Sequence, residues 1–167
     1  MMKLKYFIPL LLIVLTSCEK VYFKTPQPAN GKLVKAFSKD LIGEYADSTL
    51  DVAVFKDSIK VNGEYFGLSS EIIDSSQVIV KYYKDFYFAT FKEGQCYDVY
   101  MANFYEDKLA LYMLNGDSRS VSNLSRIVDV DTLNAEDKQY IINPTKREFN
   151  DIVDWELFEL ISVLKKQ

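Results

Sequence analysis

Residues 78–113 read VIVKYYKDFYFATFKEGQCYDVYMANFYEDKLALYM. Three dipeptides, Lys84-Asp85, Glu93-Gly94 and Glu106-Asp107, divide this stretch into four runs rich in Val, Tyr and Phe, each of strand length. Alternation is plain in Leu109, Leu111 and Met113. The middle runs are apolar on both faces, with Phe86 and Phe88 on one side and Tyr87 and Phe91 on the other. Eleven aromatic residues fall within the 31 positions from 82 to 112. A sheet with one solvated face has no need of that; a barrel filled from within and covered from outside does. The competing use of so many tyrosines is a ligand pocket or a docking face, because each ring offers rigid contact area with a polar tip.

The same punctuation continues outward. Asp47-Ser48, Lys56-Asp57, Asn62-Gly63 and Asn115-Gly116 separate further apolar runs, and Asn-Gly is the strongest of these signals because both central residues of a type I′ turn need positive φ. Leu50, Val52 and Val54 alternate with Asp51, Ala53 and Phe55. The pattern predicts a mainly β chain, an antiparallel up-and-down meander or barrel of about 8–10 strands over residues 41–143. Beyond residue 143 the period becomes helical. Thr145 and Glu148 form a capping-box pattern, Phe149, Ile152 and Val153 share a face, and Leu157, Leu160, Ile161 and Leu164 predict a second helix starting at Asp154. Residues 144–167 are therefore expected as C-terminal helices packed on the sheet. Residues 18–40 lack periodicity, and Pro26-Gln27-Pro28 favours extended backbone, so this segment reads as a tether reaching about 25 Å. Its apolar trio Val21, Tyr22 and Phe23 either packs back on the domain or docks on a partner or the bilayer interface.

At 167 residues the chain is one domain, and a net charge of −4 with a pI near 4.9 supplies no basic field for nucleic acid. It contains no histidine, which closes off Ser-His-Asp and Cys-His nucleophiles and imidazole metal sites. Neither glycine-rich phosphate loop is present. Carboxylate-only chemistry needs two acids in apposition, and the nearest pair, Asp129 and Asp131, would share one strand face and could also attract Ca²⁺. Alternation with Val128 and Val130 makes that face an ordinary solvated one. No catalytic residue, metal or cofactor is predicted, and Cys96 reads as a buried structural thiol.

Lys3 and Lys5 precede an apolar run over residues 6–15, about half the roughly 20 residues of a spanning helix and interrupted by Pro9, so residues 1–17 read as a signal peptide. Leu15-Thr16-Ser17-Cys18 follows at once and resembles the bacterial lipobox. That resemblance implies cleavage before Cys18, a diacylglycerol on its sulfur and an acylated amino terminus, which together make a stable membrane anchor. It leaves Cys96 without an intrachain partner. Glu19 after the cysteine implies delivery to the outer membrane, with the periplasmic leaflet favoured over the cell surface. Leu41-Ile42-Gly43-Glu44-Tyr45 resembles the first-strand entry of lipocalin-like barrels, with Tyr45 where that family carries tryptophan. The tether with its Pro-Gln-Pro is similar to that of small envelope lipoproteins of the Bacteroidota, a resemblance that implies no assigned activity. Asp47-Ser48-Thr49, Asp57-Ser58-Ile59 and Asp131-Thr132-Leu133 resemble O-glycosylation sites of such envelope proteins.

The first functional expectation is a non-catalytic binding or accessory subunit of an envelope assembly, held in the membrane by acyl chains on Cys18 and docking through Val21, Tyr22 and Phe23. The alternative is a carrier of a small apolar or lipidic ligand lined by Val78, Val80, Tyr82, Phe86 and Phe88. A carboxylate-dependent enzyme is the third. A hollow barrel favours the carrier, whereas a filled barrel with an exposed apolar patch favours the subunit.

Overall fold

The computed structural model describes residues 19–72 and 74–167; the signal-peptide and Cys18 readings lie outside the described residues. The strands are β1 (Lys20–Phe23), β2 (Lys32–Leu33), β3 (Gly43–Ala46), β4 (Asp51–Val54), β5 (Ser58–Val61), β6 (Glu64–Leu68), β7 (Gln77–Tyr83), β8 (Phe86–Glu93), β9 (Cys96–Tyr105), β10 (Lys108–Met113), β11 (Val130–Asn134), β12 (Gln139–Ile142) and β13 (Glu159–Lys166). Two helices join them, α1 (Ser118–Leu124) and α2 (Lys146–Asp154).

Nine strands close into a barrel in the order β3-β4-β5-β6-β7-β8-β9-β10-β13, with β13 pairing back to β3. The barrel is mixed, since β6 and β7 run parallel, and it fits a lipocalin-like fold. Its hairpins follow from turn chemistry. Asn62 and Gly63, Lys84 and Asp85, and Glu106 and Asp107 all hold positive φ, as two-residue hairpin loops require. Asn115-Gly116 behaves differently. It leads from β10 into α1, and a Cβ on Gly116 would stand 2.4 Å from the backbone nitrogen of Lys20, so glycine is needed there for close approach and not for a hairpin. Asp117 then caps α1 by accepting from the Arg119 and Ser120 amides.

Alternation sorts the apolar residues into two cores. Tyr45, Val52, Val54, Ile59, Val78, Val80, Leu109 and Leu164 point into the barrel. On the outer wall, Phe88, Val99 and Met101 pack against Phe149 and Ile152 of α2, Leu124 of α1, Phe158, and Val21 and Phe23 of β1. Edge-to-face rings knit this layer, with Phe88 and Phe149 at 5.4 Å and Phe88 and Phe158 at 5.7 Å. The aromatic density of residues 82–112 is thus spent on both faces of one wall.

Three expectations need correction. Residues 19–40 are no free tether: β1 pairs in parallel with β12 and meets β9, β2 pairs with β7, and Gln27 is buried, its carbonyl accepting from Thr90 Oγ1 at 3.1 Å. Val21, Tyr22 and Phe23 are buried, so they form core rather than a docking surface. The helix expected from Asp154 is absent, because Glu156 takes φ 54° and breaks the chain into β13, which closes the barrel between β10 and β3. The β10–β13 register shifts around Ile161, and the irregularity breaks strict alternation so that the apolar positions mimic helical spacing. The capping box at Thr145 and Glu148 does start α2.

Replacing Phe23 with alanine should cost about 3–5 kcal/mol in urea unfolding of the chain, the cost of emptying an aromatic core site. A loss within about 0.5 kcal/mol, as for an exposed linker residue, would contradict the burial of β1.

Candidate functional site

The two ends of the barrel are built differently. At one end the segment leading into β3 folds across the opening. Phe37 is buried, its amide donates to the Lys56 carbonyl at 2.8 Å, and Val34, Leu41 and Ile42 pack beside it. Tyr45 donates its hydroxyl to the Leu41 carbonyl at 2.9 Å, and Tyr45, Phe104 and Tyr87 stack edge-on at 5.6 and 5.5 Å. This end is a floor.

The other end is open. A cavity of about 710 Å³ enters it, walled by Val52, Ile59, Val61, Phe66, Ala89, Phe91, Tyr100 and Leu111. Its rim carries Asn62, Glu64, Lys92 and Glu93 from the two hairpins beside it, together with Leu50, Ser75 and Ile161. Phe66 and Phe91 meet edge-on at 4.9 Å, and Phe91 and Tyr100 at 5.9 Å. The volume falls within the range of small-molecule sites, and the predominantly apolar wall suits a hydrocarbon chain. The polar rim suits a wet head.

One charged residue stands in the wall. Asp98 faces inward from β9, and the Lys20 ammonium of β1 donates to its carboxylate. Both side chains are largely buried, at 14 % and 10 % exposure, and the ammonium also lies 5.2 Å from the Tyr22 ring and 5.8 Å from that of Tyr100. Burial alone would lower the Lys20 pKa, but the hydrogen bond and the charge of Asp98 carry it above the ordinary lysine value. Burial pushes Asp98 upward, and Lys20 opposes that. The pair is best read as ionised at neutral pH. It holds the first strand to the cavity wall.

Of the five residues expected to line a ligand site, none borders the cavity. Val78 and Val80 do point inward, but into packed core, and Tyr82 lies against Tyr87 at 5.0 Å. Phe86 and Phe88 face outward into the second core, which corrects the expectation that they line a ligand site inside the barrel. The register makes this clear: Tyr82 pairs with Tyr87 and Val80 with Ala89, whereas Phe88 pairs with Lys81. Phe91 and Tyr100 belong to the aromatic window, so composition marked the region without marking the face. Asp131 pairs with Lys24 at 2.8 Å on the surface, and among the described residues no group of three or more acids and cysteines could hold a metal ion. Burial, with Asp98 and Glu93 nearby, pushes the Cys96 thiol up, which suits an inert core residue.

Removing one partner of the buried pair strands the other. Lys20→Met should cost about 3 kcal/mol in urea unfolding, and the K20M D98L double variant should recover more than half of that. Because the folded Lys20 pKa is raised, the pair's contribution is present below about pH 10.5 and is lost as pH rises through the folded value; a pH series of unfolding midpoints in which the wild-type advantage over K20M D98L persists undiminished well above that would contradict the assignment. Comparisons with protein-family models, with curated proteins and with solved structures find no match to this chain.

Proposed function

We propose that this chain is a lipid-anchored, non-catalytic carrier whose barrel holds the hydrocarbon part of a small amphiphile, with Cys18 acylated and the protein resident on the periplasmic leaflet of the outer membrane. The observation that carries this reading is the cavity of about 710 Å³, open at one end and floored at the other. An alkyl chain seated there would contact Phe66, Phe91, Leu111 and the valines of β4 and β5, while its polar end would remain among Lys92, Glu93 and Glu64 at the rim. Asp98 is committed to Lys20, so the carboxylate inside the cavity acts as a structural partner and not as an acid or base. A second reading, an accessory subunit of an envelope assembly, draws on Leu160 and Val163, which are exposed on β13. Two such residues make a small patch, which favours the carrier.

The soluble 19–167 chain, which contains every described strand and helix, should bind 11-(dansylamino)undecanoic acid saturably with a blue-shifted, enhanced emission. Ala89→Trp, which places an indole across the middle of the cavity, should weaken that binding at least ten-fold. Absence of saturable enhancement in the wild-type chain, or equal binding by A89W, would refute the carrier reading.

A further inference from the structure

A second groove lies outside the barrel, where the turn that ends α2 faces α1. It measures about 400 Å³, within the range of small-molecule sites, and shares no lining residue with the barrel cavity. Trp155 stands in it 55 % exposed. The other exposed aromatic rings are each matched by a neighbour: Phe55 stacks with Tyr65 at 5.8 Å, Tyr82 lies 5.0 Å from Tyr87, and Tyr105 carries the Lys108 ammonium at 5.5 Å. Among the described residues, no ring or cation covers Trp155 and its indole N–H meets no acceptor.

The backbone at this point is held against its preference. Glu156 and Leu157 donate their amides to the carbonyls of Val153 and Ile152 at 3.0 and 3.1 Å, which ends α2 in a Schellman motif. The left-handed position of that motif, usually glycine, is here Glu156 at φ 54°. Every other non-glycine residue with positive φ lies in a hairpin turn. A side chain is thus kept where the backbone favours none, and it lines the groove beside Trp155. Across from it, α1 contributes Arg119 and Asn123. Among the described residues, the side chains of Arg119, Asn123 and Glu156 form no hydrogen bond and no ion pair. Glu159, by contrast, is already fixed, accepting from the Ser120 hydroxyl and from the Asn115 amide.

We infer that this groove binds a short neutral saccharide, one pyranose ring lying on the Trp155 indole. The indole face is electron-rich, and the axial C–H bonds on one side of a pyranose present it with a flat, weakly positive surface. Sugar hydroxyls both donate and accept, and the groove offers both partners: the Arg119 fork donates, Glu156 accepts, and the Asn123 amide does either. Charge narrows the class. Asp117, Glu156 and Glu159 outnumber the one guanidinium, which disfavours an anion, while Arg119 disfavours a simple cation. The inference does not rest on the carrier reading.

Trp155 is the sole tryptophan, so intrinsic emission reads the groove directly. The full chain, kept in a detergent without a sugar headgroup, is titrated with cellobiose, N,N′-diacetylchitobiose, lactose and maltose. At least one of the four should change the emission saturably, with half-saturation below about 10 mM, and digalacturonate should bind at least about ten-fold more weakly. In calorimetry with the tightest of them, W155A should weaken binding at least about ten-fold while its urea midpoint stays near that of the wild type, because the ring is exposed. Glu156→Gly should weaken binding about ten-fold and yet unfold no more readily than the wild type, because glycine suits that φ. It also carries the test if W155A does not fold. No saturable change with any of the four sugars, tighter binding of digalacturonate, or calorimetric binding unaltered in the folded variants overturns the inference.

Discussion

The architecture depends on a fork in one long strand. β9 gives one edge wholly to β8, but its other edge is shared, first by β1 at Tyr97 and then by β10 from Met101 onward. Backbone donors and acceptors left unpaired on a buried edge would each cost free energy, so the upper half of β9 requires a second strand once β10 has diverged. β1 is that strand. Its arrival brings β12 and β11 alongside and starts a small outer sheet on the wall of the barrel. The alternation of β9 then serves two cores: Ala102 and Phe104 fill the barrel, while Val99 and Met101 join the layer beneath α1 and α2.

That division explains why the cavity occupies only one half of the barrel. At the floored end, Phe37, Tyr45, Tyr87 and Phe104 fill the bore with aromatic rings. Toward the other end small Ala89, Val52 and Val61 share the wall with the rings of Phe66, Phe91 and Tyr100, and a cavity of about 710 Å³ is left between them. Stability comes from elsewhere at that level, from the phenylalanine cluster outside the wall and from the Lys20–Asp98 pair. A hollow site needs such outside support, since its own lining lacks the contacts of a filled core.

Much of this was legible in the sequence, for identifiable reasons. Hairpins whose central residues need positive φ announce themselves, and the closed, mainly β architecture follows from their spacing. The capping box of α2 is equally local. What escaped was set by tertiary partners. Val21, Tyr22 and Phe23 are too few to show a period, and only pairing with β9 and β12 makes them a strand. Leu160, Ile161 and Leu164 show a helical spacing that an irregularity produces by accident. The cavity residues were hidden by phase: an aromatic run apolar on both faces does not disclose which face turns inward, and the choice falls on Tyr87, Ala89 and Phe91 and not on Phe86 and Phe88 only once the barrel closes.

A filled floor and a hollow mouth are what the proposed carrier of a small amphiphile requires. Native mass spectrometry of the full chain, purified from its own cells in mild detergent, tests that proposal directly. A one-to-one adduct with the mass of a small amphiphile, retained when the detergent is stripped, is the predicted spectrum. A protein free of small molecules and bound stoichiometrically to another polypeptide would contradict it.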